Sequence, residues 1–331
     1  VPGNLGRGRL IFRPTDIARI FFECVDKSAI ENFRRFVAHH SNVKKWIVAA
    51  DFSLGKKRPL GCFAFTIIPY DAWPWELEKD VVANLAKDLK DSKSVPENAI
   101  AWLRDNQRFH IAITVTPDRS VFAGGSSKLA QAKGHAEAAL VEAEGNQDKV
   151  DGADLARLRR LKQLSQSKGF NVRLLGDIWL LGVMFASITA LIDRERKSEV
   201  IGWFPDRDDM TNWCEGIWHY YAFWNSRRFA DDFDVDMRST QLIVALPDRE
   251  GGGEIMWFDY LLRAADWFAG AVAEWDRKTG FDSAKHPKYR EMWEQVIAGA
   301  RNVVVLHLDI GSDGAQFRRI EAQRIEPPEK E

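Results

Sequence analysis

Cysteine is scarce in this chain, and what there is does not pair by spacing. Cys24, Cys62 and Cys214 are odd in number and scattered, with no Cys-x-x-Cys pattern. That argues against a disulfide framework or a cysteine zinc site, and free thiols in a reducing compartment are expected. An excess of either charge is missing too: 47 Lys and Arg against 48 Asp and Glu leave a formal net charge of −1. Any nucleic-acid contact then needs a local basic surface, because the whole-molecule field offers little attraction. No charged-then-apolar leader pattern opens the sequence. The most apolar run, residues 178–192, is short for a bilayer and ends in Asp193-Arg194-Glu195-Arg196. A soluble, cytoplasmic protein is the expectation. Also missing are a phosphate loop, a dinucleotide fingerprint, a His-Glu-x-x-His helix and a serine nucleophile elbow.

Tryptophan, by contrast, is abundant at 13 residues, so aromatic packing should dominate the core. The 331 residues suit one large domain, or a domain carrying an insertion. Residues 8–12 read as a short strand closed by Arg13-Pro14, and Asp26-Lys27-Ser28 offers cap chemistry for a helix over 29–37. His39 and His40 end that helix and point in different directions, which argues against a joint metal site. Runs apolar on both faces at 46–52 and 60–68, joined by turn residues, predict an antiparallel hairpin. Trp73-Pro74-Trp75-Glu76 opens a helix whose spacing continues through Leu89, and a shorter helix is expected over 96–103. Further strands are expected at 109–115, 199–204, 241–246 and 302–308, the last at an edge. Buried helices are expected at 177–192 and 254–276.

Between residues 120 and 169 the composition shifts. Gly124-Gly125-Ser126-Ser127 is a joint, followed by an Ala-rich acidic segment and then a basic one with Leu155, Leu158, Leu161 and Leu164 in a narrow stripe. This predicts a helical hairpin packed lightly on the body. Its Arg157 and Arg160, with Lys56 and Lys57 earlier, are the local basic segments that a nucleic acid could follow; a solvated face is the plainer reading.

Acidic residues mark three places. Asp51 lies near the end of the first hairpin strand, as a turn cap or a site residue. Pro205-Asp206-Arg207-Asp208-Asp209 follows a buried strand directly, a layout that open α/β sheets use for active sites. Helix capping explains one of those acids equally well. In the late helix Asp259 and Asp266 fall seven residues apart with Arg263 between them. Either Arg263 clamps both carboxylates, or Asp266 faces a wet or metal-filled cleft. The acids of 231–236 lack the glycine and distal glutamate of a calcium loop. His110, His219 and His307 sit in apolar surroundings and read as hydrogen-bonded core residues.

The late segment Ala265-Asp266-Trp267-Phe268-Ala269-Gly270-Ala271-Val272 resembles the "Gln-Leu-Ala-Asp" helix of a large uncharacterised family with a ribonuclease-H-like fold. Members of that family typically open with Asp-Glu-Ser-Gly on their first strand. Asp51 and Ser53 match that pattern, whereas Phe52 and Leu54 depart from it, and Arg263-Ala264 replaces Gln-Leu. The resemblance implies an α/β fold with a mixed sheet of ribonuclease-H-like type flanked by helices, and a helical insertion. On that layout the domain would span 1–119, with an N-terminal extension, and 176–325, while composition marks the insertion at 120–175 and a disordered tail at 326–331. It also implies that Asp51, Asp206 and Asp266 converge as ligands of Mg²⁺ or Mn²⁺, with Asp208 as the alternative to Asp206. Converging carboxylates repel unless a divalent ion neutralises them. The activity implied is metal-dependent phosphodiester cleavage, a nuclease. The alternative is an inactive scaffold that acts as a protein or nucleic-acid interaction module.

Overall fold

The computed structural model describes residues 12–55, 58–86, 88–116, 128–233, 235, 237–246, 256–276, 279–281, 287–311 and 314–322. The expected strand at 8–12, Lys56, Lys57 and the tail at 326–331 fall largely or wholly outside these residues.

The described residues begin with two helices, α1 (Pro14–Ser28) and α2 (Ile30–His39). Pro14 starts α1, at the position where its missing N–H costs nothing. Asp26 lies inside α1 and pairs with Arg194 at 2.6 Å. The hairpin follows as β1 (Lys45–Ser53) and β2 (Gly61–Pro69), with α3 (Pro74–Asn84), α4 (Glu97–Arg104) and β3 (Phe109–Val115) after it. Helices α5 (Lys128–Glu144) and α6 (Gly152–Ser165) then form an antiparallel pair, and α7 (Val172–Glu195) leads into β4 (Val200–Pro205). The short α8 (Asp209–Asn212), α9 (Trp218–Asp232), β5 (Gln241–Val244) and α10 (Leu262–Ala273) come next. The described residues end with α11 (Pro287–Glu291), a π-helical turn at Met292–Ile297, β6 (Val303–Ile310) and β7 (Ala315–Ile320).

The fold class is α/β with a seven-stranded mixed sheet in the order β5-β4-β1-β2-β3-β6-β7. The β1–β2 and β2–β3 pairs are antiparallel, while β4 runs parallel to β1, β5 to β4 and β6 to β3. Strand β6 is not an edge, because β7 pairs with it antiparallel.

Side-chain alternation divides the core into two layers. Trp46, Val48, Phe63, Phe65, Ile111 and Trp203 face α1, α2, α5, α6, α7 and α9. Ile47, Ala49, Cys62, Ala64 and Ala112 face α3, α4 and α10. Helix α7 is long and apolar enough to cross a membrane, yet its most apolar stretch is wholly buried within the protein. The α5–α6 pair packs less lightly than its narrow leucine stripe suggests: Ala132, Ala136, Leu158 and Leu161 are fully buried in the first layer.

Candidate active site

Parallel β1 and β4 bring their carboxyl ends out side by side, with Ala50 opposite Pro205. The ladder extends one step further, since the Asp206 N–H donates to the Ala50 carbonyl at 2.7 Å. Asp51 and Asp206 therefore leave adjacent strand ends at matched register. By alternation both lie on the α10 side, as do Ala49 and Phe204 two residues earlier.

Helix α10 crosses β1 and β2 on that side. Its Ala264, Ala265 and Ala269 are buried, and on the sheet beneath Ala64 and Ala112 face each other across β2 and β3, with Ala49 two residues out of register on β1, all three fully buried. Small residues on both surfaces let the helix lie close to the sheet, which carries Asp266 toward the strand ends. The helix is shorter than its apolar pattern suggests, with a 3₁₀ turn at Asp259–Leu261 ahead of it.

A segment the sequence did not flag completes the site. Helix α3 stops at Asn84 although its apolar spacing runs on, because Leu85 turns to extended backbone. The released chain passes along α10 into a 3₁₀ turn at Leu89–Asp91. Arg263 donates from Nη1 to the Leu85 carbonyl at 2.6 Å and lies over the Tyr260 ring. One turn on, the Asp266 carboxylate accepts a backbone hydrogen bond from Leu89. Arg263 is thus no clamp for the two aspartates: Arg263 and Asp266 each bind the main chain of the same segment. The Asp259 carboxylate accepts from the Met256 N–H at 3.1 Å. The segment also brings in Asp88, which pairs with Lys90 at 3.1 Å and adds negative charge beside Asp266.

These placements set the electrostatics. Burial, then the charges of Asp266 and Asp206, hold the Asp51 carboxyl well above the usual carboxylate range. Burial and the neighbouring Asp88 push Asp266 up to about 6. Asp208 is different in kind. Its Oδ1 accepts the N–H groups of Met210 at 2.8 Å and Thr211 at 3.0 Å, so it caps α8. Thr211 returns the bond by accepting from the Asp208 N–H. Burial raises the Asp208 carboxyl as well. The helix so capped is one turn long, and the chain kinks through positive φ at Cys214, Glu215 and Gly216 before α9 begins.

Asp51, Asp206 and Asp266 thus share one end of the sheet and feel one another's charge. Among the described residues, however, no three His, Cys, Asp or Glu are grouped so as to hold a metal ion as they stand. The buried Cys62 lies beneath, its thiol pushed up by burial and by Asp51. His110 and His307 bond through Nδ1 to Thr66 at 3.0 Å and Thr114 at 2.8 Å, and His219 to Asp154 at 3.2 Å. Of the basic segments, Arg157 bonds Asp154 and the Glu215 carbonyl, and Arg160 bonds Gln163. Both are on α6, across the sheet from Asp51. Compared with protein-family models, curated proteins and solved structures, the chain shows no match.

Proposed function

We propose that this chain is a divalent-metal-dependent nuclease that works at Asp51, Asp206 and Asp266. The observation that supports the reading is the setting of Asp51: a carboxyl at the end of β1, level with Asp206, raised first by burial and then by the charges of Asp266 and Asp206. Such mutual repulsion costs stability unless the site has something to bind. The sheet supports the reading, since an antiparallel hairpin and third strand followed by helix-separated parallel strands is the pattern that the ribonuclease-H-like resemblance implies.

The donor set is all carboxylate oxygen, which suits Mg²⁺ or Mn²⁺ and not a soft metal. Asp51, Asp206 and Asp266 would hold the ion, while Asp208 is committed to its helix cap. When bound, such an ion lowers the pKa of water and neutralises charge on a phosphodiester. The chain's own contribution is to hold Asp51 and Asp206 on rigid strand ends, and to keep Asp266 near neutrality, where it can accept or release a proton. The sequence carries two cationic residues, Lys56 and Lys57, between β1 and β2, and these are the proposed contacts for a substrate backbone.

A second reading, an inactive scaffold acting as an interaction module, is favoured by Phe52 at the position where the family's pattern has glutamate. Calorimetric titration of the protein with MnCl₂, alongside Asp51→Asn, separates the two. The nuclease reading expects millimolar or tighter binding that the variant loses, and Mn²⁺-dependent cleavage of DNA or RNA. Absence of Mn²⁺ binding by the folded protein would overturn it and leave the scaffold reading.

A further inference from the structure

A small cavity of about 130 Å³ opens at the end of the sheet where β3 and β6 begin. Asp51 and Asp206 lie at the other end, where β1 and β4 finish, since all four strands run the same way. Strand β1 covers roughly 20 Å between Lys45 and Asp51, so the cavity is a separate place from the carboxylate cluster.

Three segments wall it: α2, the turn before β3 and the residues that lead into β6. Phe33, Phe36 and Val37 bury one side of α2, which leaves Asn32, Arg35 and His39 together on the outer side at i, i+3 and i+7. The other two segments are tied down. The Asn302 Nδ2 donates to the carbonyls of Leu103 at 2.9 Å, Asp105 at 2.9 Å and Arg108 at 3.2 Å. From the end of α2, the His40 Nε2 bonds the Asn106 carbonyl at 3.2 Å. Arg301 precedes Asn302 and is carried to the cavity wall by the same anchor.

What the cavity presents is unpaired positive charge. Arg35 and Arg301 are exposed, and among the described residues neither makes an ion pair or a hydrogen bond. None of the described residues that line the cavity is acidic. Asp105, beside Asn106 in the chain, turns its Oδ1 back to the Gln107 N–H at 3.3 Å. Offsetting the helix dipole accounts for a basic residue in the last turn of α2, which is His39 alone. It does not account for Arg35, a turn earlier, or for Arg301, which is on no helix. Two guanidinium groups lining one cavity without a counter-ion repel each other, as paired carboxylates do. Each is permanently charged and offers a fork of donors that matches two oxygens of an oxyanion. One fork satisfies a planar carboxylate, whereas a tetrahedral dianion presents edges to two. The volume agrees, being well below the roughly 300–1,000 Å³ of sites that enclose a whole small molecule.

We propose that this cavity is a binding site for a phosphate group, held by Arg35 and Arg301 with Asn32 and His39 as further donors. The group is inorganic phosphate or the terminal phosphate of a mononucleotide whose sugar and base stay outside. The site needs no metal and does not rest on the nuclease reading.

The test uses the intact protein with EDTA present, which keeps divalent ions from the carboxylate cluster. Calorimetry and phosphorus NMR follow titration with inorganic phosphate and with adenosine 5′-monophosphate, and adenosine is the uncharged comparison. At least one of the two phosphates should bind saturably at millimolar concentration or below, and adenosine should not bind. Tighter binding of the monophosphate assigns the site to phosphomonoesters, and tighter binding of inorganic phosphate assigns it to the free anion. Arg35→Gln and Arg301→Gln alter exposed positions, where folding is spared, and each should weaken binding roughly 10-fold or more. Arg318→Gln removes the same charge from β7 and should leave binding unchanged. Failure of both phosphates to bind the folded protein would overturn the proposal. So would binding that survives both cavity substitutions, or that falls equally in Arg318→Gln, since it would then reflect attraction to charge in general.

Discussion

Asp266 is the residue at which stability and chemistry oppose each other. Its carboxyl, ordinarily near 3.8, is held at about 6 by burial and by Asp88, and its Leu89 bond offsets only part of that. A carboxyl raised on folding binds its proton more tightly in the folded state, so it adds nothing adverse at pH 4. As the pH rises through 6 the folded protein must ionise it, and stability falls to a plateau. The displacement is worth at most roughly 3 kcal/mol, less for solvent screening at a partly exposed side chain. Asp266→Asn keeps an acceptor for Leu89 and removes the charge. Its metal-free melting temperature should match the wild type near pH 4 and exceed it by a few degrees at pH 7.5. With Mn²⁺ present at pH 7.5, the wild type should recover and the variant should not. Melting curves that stay parallel across pH would show that the Asp266 carboxyl is not under strain. Nothing in the sequence revealed how Arg263 is used: its position between Asp259 and Asp266 points to an ion pair, yet its donor goes to a carbonyl, and carbonyls are invisible to side-chain spacing.

At the scale of elements, legibility followed burial. Strands β1, β2 and β3 were readable nearly to the residue because their runs are apolar on both faces, as strands covered by two layers must be. Helix α1 was missed because Arg13-Pro14 reads as punctuation, although a proline opens a helix as readily as it closes a strand. Helix α3 was drawn too long because Leu89 keeps helical spacing with Val81 and Leu85 while reaching the core from a separate turn. That error hid Asp88. The acids at the end of β4 were found, but spacing did not distinguish the capping Asp208 from Asp206. Close helix packing also left a trace in the sequence, at Gly182 within the apolar run of α7. A Cβ there would stand 2.7 Å from the Tyr221 Cβ and 2.9 Å from its main-chain carbonyl carbon, so α9 crosses α7 where only glycine fits. Gly182→Ala forces two backbones apart, and overpacking of that kind costs about 1–3 kcal/mol despite alanine's better helix propensity. The urea midpoint should fall accordingly. An unchanged or raised midpoint would mean that the crossing yields freely.

For the molecule as a whole, the question is whether the α5–α6 pair is an appendage or part of the fold. Its stretch of sequence has the composition of an insertion, and an inserted hairpin that packs lightly would melt on its own. The structure instead buries Leu158 and Leu161 completely and joins them, through Ala132 and Ala136, to the same layer that covers β1, β2 and β4. Arg157 fastens α6 to the chain after α8 through the Glu215 carbonyl, and His135 stacks on Tyr221 of α9. Contacts of this kind couple the pair to α7 and α9, and through them to the sheet. Leu158→Ala should therefore destabilise the whole protein by about 2–5 kcal/mol, the usual cost of emptying a buried leucine site. Native-state hydrogen exchange reads the difference between the two arrangements. In one cooperative unit, the slowest amides of α6, α7 and β1 lose the same free energy of protection in the variant. In an appendage, only the α5 and α6 amides would speed up while β1 kept its protection. The continuous burial from α6 to the sheet predicts the first result.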